Sequence, residues 1–344
     1  MKISIINAKI NAKISIILCI LLSFLFLSTI FIFFQISTFI EKPFNPDAPD
    51  KRFIIKPGQS LKIIAANLEK ESIISDKKYF SLFVKFKKDD KNLQSGEYIL
   101  SASKSPEQIL EIFKKGKVNL YKTTIPEGLS INEVALIIET KGFCDKTVFK
   151  NLCMNKTFIN SLGIKASTLE GYLFPDTYFF PKNVSCKKII FIMVEHFKQI
   201  FTKQWHLKAQ TMGFSIHEIV TLASIIEKET GDSSERPLIS SVFHNRLKKN
   251  MRLESDPTVI YGIKDFDGNI KRKHLKMKTP YNTYKIKGLP VGPIANPGAE
   301  ALYSALNPAQ TPYFFFVSKK ENTHKFSETF KEHNKAVRKY QLNK

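Results

Sequence analysis

LASIIEKET, residues 222–230, is the stretch on which the reading of this chain turns. Wound at 3.6 residues per turn with the residues before it, it places Ile216, Ile219, Val220, Ala223 and Ile226 on one stripe, and Glu227 falls inside that stripe. Glu229 is turned from it by roughly 200°, so one helix cannot aim both carboxylates at the same place. A carboxylate on an apolar face has two readings. It can be structural, capping a neighbouring helix or pairing with Arg246 or Arg252. It can also be chemical, because an acid kept from water holds its proton toward neutral pH.

Outward from that helix, residues 186–213 read as a long helical stretch ending at Gly213. Asp232-Ser233-Ser234 starts a further helix from Glu235 through Leu247. Beyond Asn250 the composition shifts to Pro, Gly, Thr and Asn, which predicts ordered loops more than regular elements. The first half carries a phrase twice: FIIKPGQSLKIIAANLEK and TTIPEGLSINEVALIIET. Each reads as a strand, a turn containing Pro and Gly, a serine cap (Ser60, Ser130) and an amphipathic helix. Between them LQSGEYIL predicts a strand, and Ser105-Pro106-Glu107 opens a helix with proline at its first position. Ser75 and Lys78 have the SxxK spacing of penicillin-interacting acyl enzymes, but no K-T-G follows, so the spacing carries no assignment.

From Ile14 to Ile40 the chain has no charged residue. About 20 apolar residues cross a bilayer, whereas the apolar part of a secretory signal runs to about 15 and ends at a small-residue cleavage site that this stretch lacks. The segment therefore reads as an uncleaved anchor, followed by a polar linker over 41–52. Lys2, Lys9 and Lys13 before the span, against Lys42, Lys51 and Arg52 after it, favour a cytoplasmic N-terminus over residues 1–13. The 344 residues carry a net charge of +22, which raises nucleic acid as a partner. The lysines are scattered, however, and no nucleic-acid-binding motif accompanies them; a lysine-rich genome bias, or attraction to anionic envelope surfaces and lipid headgroups, suits them better. Cys144, Cys153 and Cys186 lie outside the span. A Cys144–Cys153 bridge and reduced thiols remain equal alternatives. His217-Glu218 lacks the second histidine of H-E-x-x-H, so no metal is expected.

The second half contains an ordered series of phrases: LEGYLFPDTY (169–178), ASIIEKE (223–229), SVFHNRL (241–247), MRLESDPTVIYG (251–262), YNTY (281–284), GLPVGPIANPG (288–298) and ALNP (305–308). Together they resemble the membrane-anchored endolytic murein transglycosylase family, called MltG or YceG-like. One departure is Val291, where the family usually has proline. The resemblance implies an α+β protein: a transmembrane helix over 14–40, a LysM-like module over 53–160 and a mixed α/β catalytic domain over 161–344. It implies a lyase that cuts the β-1,4 bond from N-acetylmuramic acid to N-acetylglucosamine in nascent strands. The muramic 6-hydroxyl attacks, leaving 1,6-anhydro ends, so strand elongation is terminated. Glu227 matches the family's acid. Candidate glycan contacts are Glu229, Asn245, Asp256, Thr258, Tyr261, Tyr281 and Asn282; Glu170 and Asp176 form a lower-ranked acid pair. No cofactor is expected. The expected partners are glycan strands, the membrane and peptidoglycan synthases, without nucleic acid, and the expected place is the inner membrane with the enzyme on its periplasmic side. The alternatives are a non-catalytic peptidoglycan-binding scaffold and a muramidase that uses water.

Overall fold

The computed structural model describes residues 2–264, 266–319 and 323–342. The chain divides into two compact units, one of residues 1–120 with 181–183, the other of 121–180 with 184–344.

The first unit begins with α1 (Lys2–Glu41), whose 22-residue stretch Ile20–Glu41 reaches a mean hydropathy of 2.3 over 18 residues. Among the described residues it is the one helix long and apolar enough to cross a membrane. Next come β1 (Lys51–Ile55), α2 (Leu61–Lys70), α3 (Lys77–Phe86), β2 (Gly96–Leu100) and α4 (Pro106–Lys114). β1 and β2 pair antiparallel, with Phe53 opposite Tyr98. In β1 the alternation buries Phe53 and Ile55 and exposes Ile54 between them. Three helices close the core: α2 with Ile64 and Leu68, α3 with Phe80 and Phe83, and α4 with Ile109 and Phe113. Phe39 and Ile40, at the end of α1, pack on this core too. Ser105 makes a full capping box with Gln108, but Ser60 caps α2 by backbone conformation alone, with no side-chain bond.

The second unit contains β3 (Leu120–Ile125), α5 (Ile131–Thr140), α6 (Lys146–Cys153), α7 (Lys156–Ser161), β4 (Asp176–Pro181), α8 (Cys186–Ile200), α9 (Lys203–Thr211), α10 (Ile216–Glu229) and α11 (Arg236–Lys248). After them come α12 (Asp256–Tyr261), α13 (Arg272–Lys276), α14 (Ala299–Leu306), the antiparallel hairpin β5 (Phe315–Ser318) and β6 (His324–Ser327), and α15 (Phe330–Val337). The repeated phrases are alike in backbone: Gly58 and Gly128 sit at φ +77° and +75° in their turns, a conformation that costs glycine nothing. They belong to different units, though. β3 pairs with β4, and Ile125, Val134 and Ile138 join the core formed by α8, α10 and α14, so the second phrase belongs to the larger compact unit.

Three expectations are corrected. The long helix over 186–213 breaks at Phe201-Thr202, where the Thr202 hydroxyl accepts from the Trp205 N–H and starts α9. Cys144 bridges Cys186, with Cα atoms 5.6 Å apart, while Cys153 is buried and free. The described residues of 299–342 are largely regular, because apolar Ala301, Leu302 and Ala305 drive α14 into the core and Phe316 of β5 packs on Phe243.

Candidate active site

α10 starts at Ser215, whose hydroxyl accepts from the Glu218 N–H while the Glu218 carboxylate bonds back to Ser215. Every residue from Ile219 to Ile226 is buried. The middle of the helix therefore has no single apolar stripe; it runs through the centre of the unit, and the helix meets solvent at its first turn, at Glu218, and at its last. There Glu227 and Glu229 leave on different sides and meet different surroundings.

Glu227 does not sit in an apolar pocket. One carboxylate oxygen accepts from Arg236 Nη2 at 2.9 Å and the other from the Gly298 N–H at 3.0 Å, with the side chain 6% exposed. Arg236, the first residue of α11, also meets Glu300 at 2.5 Å and Glu127 at 3.4 Å. Burial and the neighbouring Glu227 carboxylate push the Glu127 carboxyl above its ordinary range, against the pull of Arg236. The loops are cut to fit: a Cβ on Gly298 would lie 1.9 Å from Glu127 Oε1, and the Gly128 N–H bonds Asn296 O at 2.9 Å. Both Glu227 oxygens thus tie α10 to α11 and to the loop before α14. The partner is Arg236, not Arg246 or Arg252.

Glu229 turns the other way and lines a groove of about 440 Å³ with Arg246, Glu254, Asp256, Tyr284 and His333. Its carboxyl takes a short hydrogen bond from Ser255 Oγ. Burial pushes Glu229 up to about 7; the nearby Asp256 charge adds to this, while the Ser255 bond and the Arg246 guanidinium oppose it. Around it the phrase RLESDPT is clamped to YNTY: Ser255 N–H donates to Thr283 Oγ1 at 3.0 Å, and Tyr284 OH donates to Asp256 Oδ1 at 2.8 Å. Arg246 underlies the loop, its Nη1 donating to Leu253 O at 2.9 Å and its Nε to Phe314 O at 2.7 Å. Glu254 adopts φ +50°, a left-handed conformation uncommon for a residue with a side chain, as the loop bends around the groove.

The remaining candidates divide. Asp256 faces the groove. Asn245, Thr258 and Asn282 spend their donor groups inside the fold: Asn245 Nδ2 donates to Thr311 O and Tyr313 O, both at 2.9 Å, and Asn282 Nδ2 donates to Met277 O at 2.6 Å. Thr258 is fully buried and donates to Ser255 O at 2.6 Å. Tyr261 donates to Glu170 at 2.8 Å and meets Tyr281 edge to face at 4.8 Å. Glu170 is also pushed up to about 7 by burial, against bonds from Tyr261 and the Ile131 N–H. It is 3% exposed and links α5 to α12 from inside the core. Asp176 lies at the start of β4, beside His196 at 3.4 Å and apart from Glu170's bonds. Ser255 and Tyr284 are not among the residues the sequence singles out, and Arg246 stands there only as a possible partner of Glu227. All three sit inside quoted phrases, and the spacing Tyr-Asn-Thr-Tyr was the available signal.

A sequence profile of the YceG-like family matches residues 53–339. An endolytic murein transglycosylase of Bacillus subtilis is 36% identical over 305 residues, 83% of each chain. One of Streptococcus pneumoniae is 28% identical over 306 residues, spanning 79% of this chain and 55% of that protein. A crystal structure of a protein described as YceG-like, from Listeria monocytogenes, superposes with a TM-score of 0.58 at 33% identity, covering 84% of this chain and all of that one.

Proposed function

The chain belongs to the YceG-like family, and from that premise we propose that it is a peptidoglycan lytic transglycosylase, a lyase, whose general acid is Glu229 rather than Glu227. The observation that carries the choice of acid is the pairing of a raised carboxyl with an open groove. A glycosidic oxygen leaves only when protonated, so the acid must still hold its proton near neutral pH and must reach the substrate. Glu229 meets both needs. Glu227 has both oxygens occupied by Arg236 and Gly298, and Glu170 is enclosed.

In this reading Glu229 gives its proton to the oxygen leaving between N-acetylmuramic acid and N-acetylglucosamine. The bond from C1 to that oxygen breaks, and the muramic 6-hydroxyl oxygen bonds to C1 in its place. The hydroxyl's proton passes to the Glu229 carboxylate, restoring the acid. A second carboxylate is not required, because the substrate supplies its own nucleophile. Asp256, near enough to raise Glu229, helps keep the acid protonated, and the Ser255 hydroxyl aims its carboxyl.

α1 serves as a single-pass anchor of the inner membrane with the enzyme on the extracytoplasmic side, where the Cys144–Cys186 bridge would persist. The order β1, α2, α3, β2 with antiparallel strands supports a LysM-like module that grips the glycan, so the enzyme would trim strands still near their site of synthesis and terminate their growth. Digestion of uncrosslinked strands, read by mass spectrometry, tests the reaction: anhydro-muramic ends support it, reducing ends would indicate hydrolysis, and no products from a folded, strand-binding protein would indicate a scaffold.

A further inference from the structure

α3 carries a face that its own unit leaves uncovered. Phe80, Phe83 and Val84 point into the core, whereas Leu82 is 56% and Phe86 85% exposed. Tyr79, Leu82 and Phe86 are spaced i, i+3 and i+7 and so lie along one stripe. That stripe begins where α1 ends: the rings of Tyr79 and Phe39 meet edge to face, 5.6 Å between centroids. Phe44, just beyond α1, is 51% exposed and shares with Phe39, Lys42 and Tyr79 a hollow of about 280 Å³.

Charge completes the pattern. Exposed Lys78 and Lys85 border the stripe on the side away from the core, and Lys87 and Lys88 follow the helix. Lys87 meets Glu107 at 3.5 Å. The acidic residue at the start of α3, Asp76, accepts the N–H groups of Lys78 and Tyr79 at 2.6 and 2.9 Å as its cap. Bare aromatic and leucine side chains flanked by lysines describe a helix that lies in the plane of an anionic membrane surface. Aromatic rings prefer the headgroup level, and the continuity of the stripe with the end of α1 indicates what covers it.

We propose that the Tyr79–Leu82–Phe86 face of α3 is a second membrane contact, seated in the headgroup region of an anionic leaflet beside the point where α1 leaves it. The inference rests on α1 being the membrane anchor. Together the two contacts would fix the orientation of the first unit on the membrane, where α1 alone would leave it free to swing.

The test uses the full chain reconstituted in phosphatidylglycerol liposomes. Trp205, the single tryptophan, is replaced in a Trp205→Phe background, and Phe86→Trp supplies the reporter; Ile63→Trp, on α2 outside the stripe, is the control. With acyl-brominated lipid the reporter at position 86 should emit at shorter wavelength and lose about half its intensity or more, as an interfacial residue does, while the control stays unquenched. Lys78→Gln with Lys85→Gln should reduce that quenching. A chain that floats with the liposomes while the position-86 reporter emits as in water would overturn the proposal. Quenching unchanged by the lysine replacements would overturn its anionic part. A chain that does not float would refute the anchor and this inference with it.

Discussion

Replacing Arg236 with methionine keeps most of the side-chain volume and removes the charge that three carboxylates share. Of these only Glu227 is shut from water, at 6% exposed; Glu127 and Glu300 are 45% and 64% exposed and can turn to solvent. The exposed pairs contribute at most about 1 kcal/mol each. Removing the partner of a buried charge costs about 3 to 5 kcal/mol, so Arg236→Met should destabilise the second unit by about 3 kcal/mol or more. Adding Glu227→Gln removes the stranded charge and keeps an acceptor for the Gly298 N–H. The double variant should therefore recover about 2 kcal/mol of the loss. Trp205, packed against Phe201 in that unit, reports its urea unfolding without interference from the rest of the chain. An Arg236→Met protein as stable as its parent, or a double variant whose costs simply add, would refute the structural role given to Glu227.

Glu170 holds its proton more tightly in the folded chain, so its contribution to stability is complete below about pH 4.5 and is lost as pH rises through about 7, about 3 kcal/mol in all. Glu170→Gln should thus be more stable than its parent at about pH 8 and similar at about pH 4; urea titrations at both would expose an opposite order. Activity should fall as pH rises through about 7, since Glu229 must be protonated to act, and Asp256→Asn should move that alkaline limb to lower pH by removing a like charge. A limb that moves upward in the pH–rate profile would count against the groove. Cys144→Ser opens a bridge across a separation of 42 residues and should cost at most about 4 kcal/mol, matched by reducing the parent, whereas Cys153→Ser keeps the bridge and should lose as much stability on reduction as the parent does.

Much of the architecture was legible because it rests on local chemistry. The apolar run of α1, the two strand–turn–helix phrases with Gly58 and Gly128, and the serine caps at 105 and 130 all follow from short-range rules. What escaped depends on contacts between distant residues. The repeated phrases look alike, yet pairing with β4 draws only the second into the larger unit. Cys144 lies nine positions from Cys153, but Cys153 points into the core and Cys186, at the start of α8, is the residue within reach. The ranking of the two carboxylates turns on a related point. A stripe argument presumes one wet face along the helix, whereas α10 is buried all round from Ile219 to Ile226, so the argument marks Glu227 as misplaced and ranks Glu229, the carboxylate facing the groove, below it as a glycan contact. Likewise Asn282 is the buried tether of YNTY and Tyr284 its groove-facing residue, a distinction set by the fold of loops that no periodicity encodes.

The most direct test places the two carboxylates side by side: the native chain, Glu229→Gln and Glu227→Gln are incubated with uncrosslinked glycan strands, and anhydro-muramic ends are quantified by mass spectrometry. Glu229→Gln should fold and bind strands yet form no anhydro ends, while Glu227→Gln, with its tie to Gly298 kept, should form them whenever it folds. Anhydro ends formed by Glu229→Gln, together with a folded but inactive Glu227→Gln, would contradict the account and return the acid to position 227.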